Sequence, residues 1–257
     1  MNDSDRAANG SDNAASRSRD GSGGPIQRPR DAATLVLVDT TSGVPKVLMG
    51  RRRAGQVFMP SKVVFPGGRV DEADKLVRSN DALAQSETEK LLLEMKGRPS
   101  EVRARALALA AIRETFEETG VIVGRTLTAQ APRSTDLPPA WRAFHDAGFE
   151  PLLSELCFFA RAITPLGRPR RYDTRFFCVS ANLIAAETGA SDEELDRIGW
   201  FSLEETKDLD LPPITRVILD DLVDRLDAGP LGPLPHPVPF YHHRRGSFVR
   251  EFLGDDR

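Results

Sequence analysis

The sequence predicts an α/β fold, because short apolar runs typical of buried strands alternate with longer segments of helical periodicity. The chain has 257 residues, of which 40% are hydrophobic, and this is enough for one sizeable core. Its formal net charge of −3 argues against bulk electrostatic attraction to nucleic acid or to acidic membranes. No apolar run approaches the length of a membrane span. We therefore expect one globular domain that binds neither nucleic acid nor membranes.

The first 30 residues are rich in Ser, Asp, Asn, Gly and Arg and almost lack large apolar side chains. Such a segment buries too little surface to offset the entropy of ordering, so we expect residues 1–30 to be a disordered tail and residues 31–257 to form the domain. The tail has no apolar stretch like that of a secretory signal, and its aspartates argue against a transit peptide. By elimination, we expect a cytoplasmic protein.

The two cysteines of the chain, Cys157 and Cys178, both lie in apolar runs that resemble strands. A disulfide framework is not expected from so few cysteines, and a reducing compartment is the default. We expect both to be inert thiols in the core.

The first predicted elements are a strand pair and a glycine bend. Residues 34–38 and 46–49 are strand candidates on either side of the turn Thr41-Ser42-Gly43. A third apolar run, 63–65, leads into Pro66-Gly67-Gly68, where proline ends regular pairing and two glycines permit a backbone that other residues resist. We expect this bend to be a loop that another group can approach closely.

Two helices are predicted next, over about 76–96 and 101–119, separated by a Gly-Arg-Pro-Ser break. Ser100 suits the N-cap of the second helix, and Gly120 stands where helices commonly stop. The remaining predicted elements are a short apolar run at 121–123, a mostly helical segment at 132–151, and strands at 156–160, 175–179 and 198–201, of which 198–201 is expected to be the last strand. A helix at 215–227, with Thr215 as N-cap, and a surface tail around His242 and His243 are expected to follow.

Three carboxylates crowd the end of the second helix, in the run Arg-Glu-Thr-Phe-Glu-Glu-Thr-Gly. At roughly 100° per residue, Glu114, Glu117 and Glu118 project within one arc of about 100°. Like charges at this spacing repel unless water solvates them or a divalent cation binds between them, and oxygen ligands suit Mg2+ or Mn2+. Another face of this helix is apolar, so the helix is expected to be partly buried. We therefore favour a metal site over a solvated acidic helix end.

The double glycine followed by Arg-Glu-x-x-Glu-Glu-x-Gly resembles the Nudix box of the Nudix hydrolase superfamily. The resemblance implies a mixed β-sheet sandwiched between helices, and a metal-dependent diphosphatase that hydrolyses the phosphoanhydride of nucleoside-diphosphate-linked compounds. It implies that Glu117 and Glu118 are metal ligands. Glu114 is implied to be a further ligand or the group that takes a proton from water, and the carbonyl of Gly67 to complete the metal shell. Arg113 is implied to orient these carboxylates.

Two features depart from the usual box. Asp74 stands where the box has glutamate, and the arginine expected at position 82 stands at 113, an excess of 31 residues. Aspartate is one methylene shorter than glutamate, and we expect Asp74 to act structurally through Arg113. Insertions near 75–105 and 130–152 are expected to reshape the rim of the site and to leave the metal ligands in place.

The interrupted box, with Phe-Met-Pro-Ser before it and Arg-Tyr-Asp-Thr-Arg-Phe-Phe after it, resembles the coenzyme A diphosphatase branch. That branch splits coenzyme A or acyl-coenzyme A into 3′,5′-ADP and phosphopantetheine or its acyl form. Its recognition pattern asks for arginine and glycine where Val57 and Ser61 stand, and only Arg52 fits its first arginine. Two alternatives remain open: a pyrophosphatase for ADP-ribose, NADH or another dinucleotide, and a catalytically silent Nudix fold that binds nucleotide or a partner protein.

Arginines beside two strands are candidates for contact with substrate phosphates, since guanidinium groups match phosphate oxygens. A solvated loop is the alternative for each, and Asp173 is expected to pair structurally with its neighbouring arginine. The substrate-binding candidates are Arg52, Arg171 and Arg175.

Two adjacent carboxylates, Glu193 and Glu194, precede the last predicted strand. Some Nudix enzymes supply an additional ligand or base from this region, and either residue could have that role here. A charge at a helix N-terminus or a solvated loop is the alternative. The oligomeric state stays open, with a homodimer among the options.

Overall fold

The structure is a computed structural model that describes residues 27–56, 59–128, 137, 139–189, 194–233 and 235–255. The first strand begins at Arg30, close to the expected start of the domain. The expected disordered tail falls on residues 1–26, which lie outside the described residues, and on residues 27–29, which precede the strand. Among the helices that the structure describes, none is long and apolar enough to cross a membrane.

A mixed sheet forms the centre of the fold. Its parallel pairs are β1 with β8 and β7 with β11, and the other neighbours along the sheet are antiparallel. The strands lie in the order β10 (Leu195–Ser202), β2 (Lys46–Arg52), β1 (Arg30–Asp39), β8 (Tyr172–Ser180), β7 (Cys157–Ile163), β11 (Pro239–Arg244) and β12 (Ser247–Phe252), with β3 (Val63–Val64) beside β2 and β4 (Gly67–Arg69) beside β1.

A smaller sheet has the order β6 (Phe149–Pro151), β5 (Val121–Thr126) and β9 (Ile184–Glu187). Four α-helices and three short 3-10 helices complete the described elements. They are α1 (Gln85–Leu92), α2 (Glu101–Thr119), α3 (Pro139–Asp146) and α4 (Pro213–Asp227), with the 3-10 helices at Glu72–Leu76, Ala181–Leu183 and Glu205–Asp208.

Helices cover both faces of the large sheet, as the alternation along β1 shows. Leu35 and Leu37 are fully buried in the cluster that contains the apolar face of α2, whereas Val36 and Val38 are buried in the cluster that contains α4. Successive side chains of a strand point to opposite faces, so one continuous apolar run serves two cores. The predicted α/β fold with a mixed sheet between helices is confirmed.

The ends of α2 are also confirmed. Ser100 is its N-cap, with the Ser100 hydroxyl accepting a hydrogen bond from the Arg103 amide at 3.2 Å. Gly120 ends the helix in the left-handed conformation, at φ 75°, and a Cβ there would lie 2.1 Å from the carbonyl oxygen of Thr188. Both a permissive backbone and the absence of a side chain are therefore needed at Gly120.

The predicted helix over 76–96 is wrong in its first half. The structure has a 3-10 helix at Glu72–Leu76 and begins α1 only at Gln85. Between them, the Asp81 carboxylate accepts hydrogen bonds from the backbone amides of Leu153 and Ser154 at 2.5 and 2.7 Å. Short polar side chains that bond backbone groups in this way compete with helix formation, and here they fasten the insertion to the end of β6.

Other predicted elements are corrected by the structure. Gly67 and Gly68 lie in β4 rather than in a loop, and α4 has Pro212 as its N-cap and Pro213 at its first position instead of Thr215 as N-cap. His242 and His243 belong to β11 of a terminal hairpin and not to a tail, so the strand at 195–202 is not the last. The helical segment expected at 132–151 contains α3 and then β6, while residues 129–136 and 138 lie outside the described residues.

Candidate active site

The acidic end of α2 meets the double glycine of β4. The Gly67 amide donates a hydrogen bond to Glu118 Oε2 at 2.9 Å. A Cβ added to Gly68 would lie 2.4 Å from the carboxyl carbon of Glu114, and one added to Gly67 would lie 2.6 Å from the carbonyl oxygen of Ala33. Only glycine at these two positions lets the strand pass between β1 and the carboxylates. The sequence therefore correctly identified a place of close approach, although it lies in a strand.

Arg113 holds the carboxylates of this end together. Its Nη1 donates to Glu114 Oε1 at 2.9 Å and to Glu117 Oε2 at 2.6 Å. Its Nε and Nη2 donate to the two oxygens of Asp74 at 2.8 and 3.1 Å, and Nη2 also donates to the carbonyl oxygen of Arg69 at 3.0 Å. The planar guanidinium thus fixes the orientation of three carboxylates at once, which an ammonium group could not do with the same geometry.

Asp74 is held from three sides in a fully buried position. Besides Arg113, its Oδ2 accepts from the Asp71 amide at 2.8 Å, as part of a capping box, and its Oδ1 accepts from Trp141 Nε1 at 2.9 Å. These contacts fit the structural role expected for Asp74.

Trp141 is a residue of the site that the sequence analysis did not single out. It lies fully buried on α3, and its indole N–H donates a hydrogen bond to Asp74. On the same helix, Phe144 packs edge-on against Phe116 of α2, with ring centroids 5.3 Å apart. The available signal was a tryptophan in an apolar helical pattern, because a buried indole N–H usually finds an acceptor. The distance of 67 positions between Trp141 and Asp74 gave no indication that Asp74 is this acceptor.

Burial, together with the nearby charges of Glu117 and Asp74, raises the pKa of Glu114 to about 7, against the opposing effect of Arg113. The carboxylates outnumber the cation that holds them, since four of them surround Arg113 or its neighbours. They also lie at the C-terminal end of α2, where the helix dipole is negative. The site therefore has an excess of negative charge that a further cation would relieve.

The side chains present fit a hard divalent cation in kind. Glu114, Glu117 and Glu118 offer carboxylate oxygens, the ligands that Mg2+ and Mn2+ prefer. Within the described part of the chain, no three acidic, histidine or cysteine side chains are already grouped around a common ion position. Glu114 and Glu117 each bind Arg113 through one carboxylate oxygen.

Arg52, at the end of β2, faces the same region as the carboxylates. Its side chain is 12% exposed and forms an ion pair with Glu194. Burial lowers the pKa of Arg52, while the charges of Glu118, Tyr172 and Glu114 raise it. The structure thus brings Arg52 into electrostatic contact with the acidic end of α2. Glu194 lies beside Arg52, and Glu193 lies outside the described residues.

The other two substrate-binding candidates have different surroundings. Arg171 donates to the carbonyl oxygens of Thr164 and Gln27 at 3.0 and 2.6 Å. Arg175 is fully buried and pairs with Asp31 at 3.1 Å and with Asp173 at 3.0 Å. The expected pair of Asp173 and Arg175 is confirmed. A substrate contact by Arg175 does not fit the structure, because both its burial and its partners make it part of the core.

Comparison with known proteins finds similar sequences and structures, while no family model matches the chain. A curated Caenorhabditis elegans protein, provisionally named nudix hydrolase 7, is 30% identical over 190 residues, which are 70% of this chain and 53% of that protein. The chain thus spans about half the length of this relative. The crystal structure of a NUDIX hydrolase from Alicyclobacillus acidocaldarius matches with a TM-score of 0.57 and 25% identity, over 81% of this chain and 99% of that one.

Proposed function

We propose that the chain, which is similar to Nudix hydrolases in sequence and fold, is a metal-dependent diphosphatase of nucleoside-diphosphate-linked compounds. Coenzyme A and acyl-coenzyme A are the proposed substrates, giving 3′,5′-ADP and phosphopantetheine or its acyl form. The single observation that carries the proposal is the convergence of Glu114 and Glu118 on the double-glycine strand, with Glu117 held beside Glu114 through Arg113.

The proposed reaction is attack of water on a phosphorus of the diphosphate, with cleavage of the bond between that phosphorus and the bridging oxygen. A divalent cation, when bound, neutralises charge on the phosphoryl oxygens and lowers the pKa of bound water. Glu117 and Glu118 would hold it, and the carbonyl of Gly67 is a further candidate ligand. The hydrogen bond from the Gly67 amide keeps Glu118 in place before any substrate arrives.

Glu114 is the proposed group that accepts the proton of the attacking water, or else a further ligand. Its pKa of about 7 makes it a better proton acceptor than an ordinary carboxylate and leaves a large share ionised at neutral pH. Arg113 makes five hydrogen bonds to protein groups, so its proposed role is to orient Glu114 and Glu117. We assign Arg113 no contact with substrate.

Arg52 is the proposed contact for a substrate phosphate, because its mostly buried guanidinium lies within electrostatic reach of Glu114 and Glu118. It is also the residue that matches the first arginine of the coenzyme A pattern. Glu194 pairs with Arg52 and would be released, or would share that cation, when phosphate binds. This arrangement favours an anionic substrate without selecting coenzyme A over a dinucleotide, so the substrate is best decided by assay.

The test is incubation of the pure protein with Mg2+ or Mn2+ and coenzyme A, acetyl-coenzyme A, ADP-ribose, NADH or diadenosine polyphosphates, with chromatographic separation of the products. We expect the coenzyme A compounds to be cleaved fastest, with 3′,5′-ADP as one product. Faster cleavage of ADP-ribose or NADH would make the protein a dinucleotide pyrophosphatase. Inactivity on all substrates, together with measurable nucleotide binding by calorimetry, would make it a silent binding module.

A further inference from the structure

The two cysteines of the chain face each other across neighbouring strands. Cys157 on β7 and Cys178 on β8 are direct partners in the antiparallel register, and both side chains are buried in the same cluster. Directly opposed residues of antiparallel strands have Cα atoms about 4.5 to 5.5 Å apart, within the range of about 4.4 to 6.8 Å that a disulfide spans. As these are the only cysteines in the sequence, the chain's whole thiol chemistry is concentrated in one pair.

A buried cation lies against one of the two thiols. Arg225, on α4, is 4% exposed, and its Nε donates to Cys157 Sγ at 3.4 Å. Its other hydrogen bonds, at 3.3, 2.7 and 2.9 Å, go to the carbonyl oxygens of Gly229, Pro230 and Gly232. In the described ranges, no carboxylate pairs with this guanidinium. Since a buried charge is costly without an opposite charge nearby, the Cys157 thiolate is the anion that the site provides.

A second nitrogen group supports the same state. His236 Nε2 lies 3.9 Å from Cys157 Sγ. The neighbouring Cys178 thiol lowers the pKa of Cys157 to about 4, with help from His236 and Arg225 and against the effect of burial. Cys157 and burial in turn raise the pKa of Cys178. Cys157 is therefore the sulfur favoured as the attacking thiolate, and Cys178 is the one favoured as the thiol.

We propose that Cys157 and Cys178 form an oxidisable pair, in which Cys157 reacts with a peroxide and Cys178 then closes a disulfide between β7 and β8. The Cys157 thiolate attacks one peroxide oxygen, the O–O bond breaks, and the released oxyanion leaves as hydroxide or alkoxide. Cys157 is then a sulfenic acid. The Cys178 sulfur attacks the Cys157 sulfur, hydroxide leaves, and the Cys178 proton converts it to water. The peroxide is reduced to water or alcohol while two thiols are oxidised.

Access to the pair is from the segment that follows α4. Both thiols are fully buried, and Arg225 ties this segment down through its bonds to Gly229, Pro230 and Gly232. His236, near the other end of the segment, is partly exposed. Short surface segments open locally at a fraction of the cost of global unfolding, and a peroxide is small enough to enter through such an opening. We therefore expect oxidation in the folded protein at a rate limited by this opening.

The test is treatment of the folded, reduced protein with hydrogen peroxide, followed by unfolding, alkylation and intact-mass measurement. We expect the wild-type chain to lose about 2 Da, to resist alkylation, and to recover both thiols with dithiothreitol. In Cys178→Ser, oxidation should stop at a sulfenic acid on Cys157 that dimedone traps. In Cys157→Ser, the remaining thiol should stay alkylatable.

The role of the arginine is tested separately. We expect Arg225→Met to slow oxidation of Cys157 by at least about tenfold, and Arg225→Lys to keep a larger part of the rate, because it retains the positive charge. Circular dichroism shows which variants remain folded. Two results would overturn the proposal: wild-type thiols that both stay alkylatable at a peroxide dose that oxidises a free cysteine peptide, or equal oxidation of Cys157→Ser and Cys178→Ser. Neither result bears on the proposed hydrolysis.

Discussion

The two ends of α2 carry clusters of buried charge with opposite balance. At the N-terminal end, Arg103 pairs with Asp31 at 2.5 Å, Arg175 pairs with Asp31 and Asp173, and Arg161 binds Asp173 through two hydrogen bonds of 2.8 and 2.7 Å. Three arginines face two aspartates, and every carboxylate has at least two cationic partners. This cluster has an excess of positive charge, and each of its carboxylates is shared between two arginines.

At the C-terminal end of α2, four carboxylates face two arginines, Arg113 and Arg52. Arg113 bonds Asp74, Glu114 and Glu117, while Glu118 is held by a backbone amide. The negative end of the helix dipole adds to this excess, whereas at the other end it is the positive end of the dipole that lies close by. We propose from this difference that the first cluster stabilises the fold and that the second binds a cation. The predictions below test this contrast.

The largest effect is expected from breaking the N-terminal cluster. Asp173→Asn leaves Arg161 and Arg175 in the core without their shared carboxylate, so we expect the free energy of unfolding in urea to fall by about 3 to 5 kcal/mol. Activity per folded molecule should not change. Glu204→Gln, which breaks an exposed ion pair with Lys207, is the matched control and should change stability by less than about 1 kcal/mol. Equal effects of the two variants would refute the distinction.

In the absence of metal, removing a charged carboxylate from the C-terminal cluster should raise the free energy of unfolding instead of lowering it. Because the pKa of Glu114 is raised from 4.5 to about 7, its contribution to stability is fully present below pH 4.5 and is lost as the pH rises to about 7. The loss corresponds to about 3 kcal/mol. We expect Glu114→Gln in EDTA to unfold at higher urea concentration than the wild type at pH 8, with a gap that narrows toward pH 5. A destabilised variant at pH 8 would mean that Arg113 fully compensates this carboxylate.

Catalysis should depend on the same end of the helix. We expect Glu117→Gln and Glu118→Gln each to lower turnover at least about a hundredfold, equal to about 2.7 kcal/mol, because a proposed metal ligand is lost with little change in packing. Glu101→Gln changes an exposed carboxylate at the opposite end of α2 and should leave turnover unchanged. The measurement is the initial rate on the best substrate at saturating metal. Normal turnover in both ligand variants would remove them from the site.

The smallest effect on activity is expected from removing the hydrogen bond between Trp141 and Asp74. Trp141→Phe keeps an aromatic ring but removes the N–H that binds Asp74, so we expect kcat to fall about tenfold with little change in KM. Combining it with Asp74→Glu, which restores the usual longer side chain, tests whether the indole compensates for the shorter one. We expect the tryptophan change to cost less in the Asp74→Glu background. Purely additive losses would show that Trp141 acts through packing alone.

The sequence predicted the parts of this molecule in which local patterns determine the structure. The boundaries of α2 follow from a capping serine and a helix-ending glycine, and its acidic end follows from helical spacing. Both signals lie within a few residues, where backbone geometry alone relates the side chains. The same reasoning correctly placed the double glycine at a point of close approach.

The rest depended on contacts between distant segments. Trp141 reaches Asp74 across 67 positions, and no periodicity relates the two. Arg175 begins a predicted strand, and on sequence alone it was a candidate for substrate contact. In the structure it is buried and pairs with Asp31, 144 positions away. The terminal hairpin carries two histidines and several charges, and this pattern predicted a surface tail. In the structure, β11 is a strand because it pairs with β7. Long-range pairing of this kind overrides local propensity.

The contact between Asp74 and Arg113 also bears on how such a protein can diversify. These two residues stand on either side of residues 77–100, and their double hydrogen bond fixes α2 to the 3-10 helix before that segment. We expect residues 77–100 to tolerate changes of length and sequence with little displacement of the acidic helix end. This segment is in that sense an exchangeable module, through which a lineage could acquire new specificities while retaining an inherited chemistry.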